Sequence, residues 1–340
     1  MKTAVVILNW NGKSLMQQFL PALLEHTPSD EAQIVVADNG STDDSISFLR
    51  TNYPEIQIIA FEENLGFAEG YNRALAQLDH QYVVLLNSDV EVTSGWLTTA
   101  IEYMDQNPEV VALQPKILSY KDKTSFEYAG ACGGYMDMYG YPYCRGRVLN
   151  VVEKDTQQYD TVKDVLWATG ACLFIKLDVY KQSGGLDAYF FAHQEEIDLC
   201  WRLRARGYRL ACTPQSVVYH VGGGTLKVES PRKTFLNFRN NLLMIYKNIP
   251  ADKLQSVMRL RFLLDYLALV KFMLTGHFGN ALAIIKARIA YIRLKKEYIL
   301  IREENLSKRV VTSIPEVFSQ SLIFNFYFKG KKNFTELIHK

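Results

Sequence analysis

Residues 33–44 read QIVVADNGSTDD, an apolar run that ends in an aspartate and breaks at Asn-Gly. Continuous apolar residues, without in-out alternation, mark a strand covered on both faces, as in a sheet with helices on each side. Asn39 and Gly40 suit a turn, and Ser41 or Thr42 can cap the helix that follows. Outward from this stretch the pattern recurs at AVVIL (4–8), IQIIAF (56–61), YVVLLN (82–87) and VVALQPKIL (110–118), with helix-length segments between them. The first 120 residues therefore predict an α/β domain with a doubly wound, mostly parallel sheet.

Such a sheet binds ligands in the crevice beyond the carboxyl ends of its strands. Asp38 ends the second strand and is placed to accept hydrogen bonds from a ribose or base; a plain strand-to-helix turn is the structural alternative. In NLGFAEGYNR (64–73), Gly66 and Gly70 permit close backbone approach, and a helix N-terminus favours phosphate. Tight helix packing explains the same residues, and neither G-x-G-x-x-G nor G-x-x-x-x-G-K-[ST] is present. In NSDVE (87–91), Asp89 has the chemistry of a ligand for Mg²⁺ or Mn²⁺, which prefer oxygen donors shared between protein and diphosphate; capping a helix is its ordinary alternative. Glu195, Glu196 and Asp198 lie within four positions at a helix start, where the helix dipole favours acids. Mutual repulsion can also raise one of them into the range of a general base. His220, closing SVVYH, either completes a metal site or satisfies local hydrogen bonds.

With 340 residues, 48% of them hydrophobic, the chain can bury a large core. Its five cysteines form no C-x-x-C pair, which argues against a disulfide framework or zinc ribbon and for a reducing compartment. The opening MKTAVVILNWNG reads as a first strand rather than a secretion signal, so a cytoplasmic setting is expected. The net charge of +2 is segregated, because residues 251–340 hold 16 Lys and Arg against 7 Asp and Glu. This divides the chain into a domain at 1–250 and a basic, amphipathic helical region at 251–340. Residues 119–165, rich in Tyr and Gly, read as an irregular or antiparallel insertion without legible function. A helix is expected at 195–208, ended by Gly207, followed by two short strands, YRLACTP and SVVYH.

In the helical stretch 251–305, Asp265 and Lys271 interrupt the apolar run, which is too charged for a membrane span. Either its helices lie on an anionic membrane surface, with Lys271, Lys286, Arg288, Arg293, Lys295 and Lys296 near headgroups, or they form a packed hairpin with a solvated basic face. Phe324, Phe326, Tyr327 and Phe328, followed by Lys329, Lys331 and Lys332, suit an interfacial anchor or a mobile tail. The basic residues carry no reading motif for nucleic acid, which is not an expected partner.

Taken in order, VVILNWNG, VADNGSTDDS, NLGFAEGYNRAL, LLNSDVEV, TGACLFIK, GGLDAYFFAHQEEIDLCWRLRARGY and VVYHVGGGT resemble the family 2 glycosyltransferases of GT-A fold, over about residues 3–245. The similarity is greatest to the bacterial rhamnosyl- and galactofuranosyl-transferase-like branch. It implies that Asp38 holds the nucleoside, that Asn9, Asn64 to Gly66, Asn72 and Asn87 line the nucleotide-sugar pocket, and that Asn87-Ser88-Asp89 stands for the family's D-x-D. Asp89 and His220 would then bind the metal. Glu196 would be the catalytic base, supported by Glu195 and Asp198, and Arg239 of NFRNN would approach the diphosphate. Two departures are visible: Asn87 replaces the first Asp of D-x-D, and Glu196 replaces an Asp of the family's Glu-Asp pair. The implied activity is metal-assisted, inverting transfer from a nucleotide-diphosphate sugar to a hydroxyl of a glycan or lipid-linked saccharide in cell-surface polysaccharide synthesis, at or near the inner face of the cytoplasmic membrane. A non-catalytic nucleotide-sugar-binding protein or scaffold is the competing reading, and it requires a solvated acidic cluster at 195–198.

Overall fold

The computed structural model describes residues 1–222 and 230–338. Gly223 and Gly224, with Thr225 of the VVYHVGGGT segment, lie outside the described residues. The N-terminal elements are β1 (Thr3–Asn9), α1 (Lys13–Glu25), β2 (Ala32–Asn39), α2 (Ser45–Asn52), β3 (Gln57–Phe61), α3 (Gly66–Ala76), β4 (Tyr82–Leu86), β5 (Val90–Val92), α4 (Trp96–Gln106) and β6 (Val110–Ser119). The insertion supplies β7 (Gly134–Asp137), β8 (Pro142–Cys144), β9 (Arg147–Val148), β10 (Val151–Val152) and β11 (Lys163–Asp164). Then come β12 (Cys172–Lys176), α5 (Leu177–Gln182), α6 (Glu195–Ala205), β13 (Arg209–His220), α7 (Pro231–Asn248), α8 (Ala251–Leu274), α9 (Phe278–Leu294) and α10 (Ile299–Ser307). The chain closes with β14 (Val317–Phe318), α11 (Leu322–Phe328) and α12 (Phe334–Ile338).

The main sheet runs β11-β13-β6-β12-β4-β1-β2-β3, with β5 paired to β13. Along β1, β2 and β4 alternate residues enter opposite cores: Val6, Val35 and Leu85 on one side, Val5, Val36 and Val84 on the other. That two-sided burial is why these strands are apolar throughout. Strands β3, β2, β1 and β4 are mutually parallel, whereas β12 runs antiparallel to both β4 and β6. The sheet is therefore parallel on one half and mixed on the other. The two strands expected at 208–220 are one strand, β13, whose register against β6 shifts between Thr213 and Val217. The bulge lets one chain segment serve both β6 and β5. The chain order reverses between β1 and β4, which opens the crevice at their carboxyl ends.

The insertion folds into a second sheet, β10-β9-β8-β7-β14, whose last strand comes from the C-terminal tail. Phe334 packs its ring 4.9 Å from that of Tyr135 and 5.9 Å from that of Tyr143. Arg204 of α6 pairs with Glu316 at 2.7 Å. These contacts replace the mobile-tail reading with a packed tail, and they tie residues beyond 250 to the first 250.

Asp265, which breaks the apolar run of α8, is 1% exposed and accepts from Arg261 at 3.2 Å and from Arg288 at 2.6 Å. Arg288 therefore pins the α8–α9 hairpin and is not one of the headgroup-facing cations. The outward faces carry Leu263, Tyr266, Leu267, Val270, Ile285, Ile289 and Ile292, all exposed, so the face is apolar as well as basic. Among the described residues no helix is long and apolar enough to cross a membrane.

Candidate active site

The parallel register of β1 and β2 sets Asn9 beside Asp38. Asn9 donates from Nδ2 to Asp38 Oδ2 at 2.8 Å and to Ser41 Oγ at 3.1 Å, and the Ser41 amide donates to Asp38 Oδ1 at 3.0 Å. Asp38 is fully buried, while Asn9 Oδ1 is a buried acceptor with no hydrogen-bond partner, an opening for a ligand donor. Asn39, which as a sequence residue signalled only a turn, clamps the next loop. Its Nδ2 donates to Asn64 Oδ1 at 3.2 Å and Gly66 O at 3.1 Å, and its Oδ1 accepts from the Leu65 amide at 3.0 Å.

Gly66 has φ of +80°, and a Cβ there would stand 2.5 Å from the Phe191 ring. Phe191 O in turn accepts the amides of Phe67 at 2.6 Å and Ala68 at 3.3 Å. The first-turn amides of α3, which would have suited a phosphate, are thus occupied by a backbone carbonyl. Asn72 is equally committed: its Oδ1 accepts from Tyr180 Oη at 2.6 Å and the Leu186 amide at 3.0 Å, and its Nδ2 donates to Leu186 O at 2.8 Å. It holds the 185–186 turn.

A second group forms where β13 pairs with β5. His220 Nε2 lies 3.1 Å from Asp89 Oδ1 and 3.4 Å from Asn87 Nδ2, and His220 Nδ1 lies 3.4 Å from Glu127 Oε2. Burial pulls the His220 pKa down, but the hydrogen bonds and charges of Asp89 and Glu127 outweigh it and raise it to about 10. Burial likewise works against the Asp89 carboxylate, yet His220 holds it below its usual range. Glu127 was not found from sequence, because nothing in the Tyr- and Gly-rich insertion marks it as the partner of a histidine on β13.

Asp89 offers a carboxylate oxygen and His220, once it has given up its proton, an imidazole nitrogen, a mixed donor set that suits Mn²⁺ better than the oxygen-preferring Mg²⁺. Among the described residues no group of three or more His, Cys, Asp or Glu is arranged to hold a metal. A divalent ion held by Asp89 and His220 would have to take its remaining positions from a ligand such as a diphosphate.

The third group is the start of α6. Phe191, His193 and Gln194 have φ of +63°, +72° and +74°, values rare for side-chain-bearing residues and costing roughly 1–3 kcal/mol each. Asn240, fully buried on α7, holds this strained loop by donating from Nδ2 to Phe190 O at 2.9 Å, Ala192 O at 2.9 Å and His193 O at 2.8 Å. Oε2 of both Glu195 and Glu196 is buried without a hydrogen-bond partner. Burial and the Glu196 charge push the Glu195 carboxyl far above its usual range. Burial also raises Glu196, against the pull of the Glu196, Ile197 and Gly170 amides.

Asp198 does not join this pair. It is completely buried and accepts from Lys247 Nζ at 2.8 Å, Arg202 Nε at 3.0 Å and Asn248 Nδ2 at 2.8 Å, so it ties α6 to α7. Those cations overcome burial and keep it ionised. With Glu195 only 4% exposed, the cluster is not the solvated helix start that a scaffold reading needs. Arg239 donates to Tyr189 O at 2.7 Å and Phe190 O at 3.1 Å, so it braces the same loop. The backbone at Gly170 and Ala171 lies between the His220 group and the acidic group: the Asn87 amide donates to Ala171 O at 3.0 Å, and a Cβ on Gly170 would stand 3.9 Å from Glu196 Cβ.

Residues 4–151 match Glycosyl transferase family 2. The N-acetylglucosaminyl-diphospho-decaprenol L-rhamnosyltransferase of Mycobacterium tuberculosis is 25% identical over 234 residues, covering 64% of this chain and 75% of that relative. Among solved structures, GalNAc-T7 with UDP, GalNAc and Mn²⁺ superposes with a TM-score of 0.56 at 15% identity, over 73% of this chain. The chain spans about half (48%) of that protein's length. The mannosyltransferase PcManGT of Pyrobaculum calidifontis, in complex with GDP-Man and Mn²⁺, superposes with a TM-score of 0.52 at 15% identity, over 90% of this chain and 85% of that one.

Proposed function

We infer the reaction from one premise, that this chain belongs to glycosyl transferase family 2 and is a glycosyltransferase: it moves a hexosyl or deoxyhexosyl group from a nucleotide-diphosphate sugar to a hydroxyl of a glycan or lipid-linked saccharide. The observation that carries this reading is the pairing of two unlike sites across Gly170 and Ala171. On one side Asp89 and His220 offer donors for a divalent cation; on the other, Glu196 keeps a carboxylate oxygen out of water with no partner. Bound there, Mg²⁺ or Mn²⁺ would supply electrostatic stabilisation of the departing diphosphate.

The chain's own residues do the rest. Asn9 and Asp38 hold the nucleoside at the switch point, with the Asn9 Oδ1 acceptor free for a ligand donor. Glu196 accepts the proton of the acceptor hydroxyl, its affinity for that proton raised by burial, with Glu195 beside it in support. Attack opposite the leaving diphosphate gives inversion at the anomeric carbon, and retained configuration in an NMR analysis of the product would refute it. The exposed apolar face of α8 and α9 supports a lipid-linked acceptor met at a membrane surface.

The test is nucleotide release from a panel of nucleotide sugars with Mn²⁺ or Mg²⁺ and a lipid-linked saccharide acceptor. Selective, metal-dependent release lost in both Asp89→Ala and Glu196→Gln is the expected result. Release that survives both substitutions would remove these residues from the reaction.

A further inference from the structure

A cavity of about 660 Å³ opens between the second sheet and the C-terminal tail, and none of the residues placed in the active site lines it. Its charged lining is Arg145, Lys163, Lys329 and Lys331, with no carboxylate among the lining residues. Asp155 and Asp160 are engaged by Lys116, Asp164 by Arg209 and Glu316 by Arg204, while Glu336 of the tail accepts the Lys332 and Asn333 amides and lies within electrostatic reach of Lys331.

Arg145 is 3% exposed. Its Nη2 donates to Tyr159 O at 2.9 Å and Thr161 O at 3.1 Å, while Nη1 has no hydrogen-bond partner among the described residues. A buried cationic donor left open is costly, and an oxyanion is its natural complement. Such a cluster of cations, offset only at Lys331 by Glu336, favours an anionic ligand.

The rest of the wall is aromatic, with Tyr135, Tyr143, Phe318 and Phe334 lining the cavity. Lys329 Nζ sits 5.6 Å from the centre of the Phe324 ring, so the cationic wall continues directly into α11. There Phe324, Tyr327 and Phe328 are 49%, 58% and 77% exposed. An apolar strip thus adjoins a cationic cavity, the layout of a receptor for a molecule with an anionic end and an apolar body.

We propose that this cavity binds the phosphate-bearing head of an amphiphile, its phosphate held by Arg145, Lys163, Lys329 and Lys331 and its apolar part lying along Phe324, Tyr327 and Phe328. The site stands apart from the donor crevice, and its existence does not depend on the sugar-transfer reading.

Calorimetric titration of the full chain in EDTA tests this, using dihexanoyl phosphatidic acid below its micellar concentration and, separately, inorganic phosphate. The triple variant K163A/K329A/K331A removes only cations at the cavity, and K329A/K331A provides a milder form confined to the tail. The expected result is saturable lipid binding that weakens about tenfold or more in the triple variant, with nucleotide release from the sugar donor unchanged. Inorganic phosphate binding as tightly as the lipid, and weakened equally by the triple variant, would support the anion site and identify a soluble phosphate as its source. Lipid binding equal in wild type and both variants, or no saturable binding of either ligand, would overturn the proposal.

Discussion

The Glu127 carboxylate stands 3.4 Å from His220 Nδ1, on the ring nitrogen that does not face Asp89. A carboxylate in that position fixes the orientation of the imidazole and raises its basicity toward a metal on the other nitrogen. Replacing Glu127 with Gln is expected to weaken Mn²⁺ binding, measured by titration in the presence of donor nucleotide, by about ten- to a hundredfold. Unchanged affinity would reduce Glu127 to a packing group.

Glu196 must lose its proton before it can accept another. Because burial raises its pKa, the acid limb of kcat/KM against pH is expected above the ordinary carboxylate range. Glu196→Gln should lower the rate by about a hundred- to ten-thousandfold and abolish that limb, both read from a pH-rate profile.

Buried, unpartnered acids cost stability when charged. The raised pKa of Glu195 means that its contribution is intact below the ordinary Glu range and is lost as pH rises through the raised value. Glu195→Gln removes that loss, so it should raise Tm at pH 8, by an amount equivalent to about 1 kcal/mol, and by less at pH 5. A gain independent of pH would contradict the assignment.

At Gly66 a methyl group would meet both a left-handed backbone and the Phe191 ring. Gly66→Ala is expected to cost about 1–3 kcal/mol by denaturant unfolding and to lower donor turnover, since the carbonyl of Phe191 holds the start of α3.

The apolar face of the α8–α9 hairpin predicts co-flotation with anionic vesicles. L267E/I289E, at positions 58% and 45% exposed, should abolish flotation while leaving nucleotide release from soluble donor intact. Flotation that persists would place membrane contact elsewhere on the chain.

The strands and the crevice were legible because their signals are local. A run such as VVILN or IVVAD has to be buried on both faces, and the residue that ends it has to lie at the sheet's carboxyl edge. The roles of the clustered acids were not. Glu196 and Asp198 are two positions apart, which on a helix is roughly 200° of rotation, so one faces Gly170 and the other faces α7. The sequence can register three acids within four positions but not which way each one points.

By itself the sequence determined a two-sided sheet, Asn9 and Asp38 at its edge, and the motifs that mark the family. Only the tertiary structure decided that Asn72 and Arg239 brace loops, that Asp265 and Arg288 lock a hairpin, and that Glu127 reaches His220 from an insertion with no readable pattern. The physical reason is the range of the forces involved. Hydrophobic periodicity is written along the chain, whereas hydrogen bonds and ion pairs between distant segments exist only after folding has brought their partners within about 3 Å.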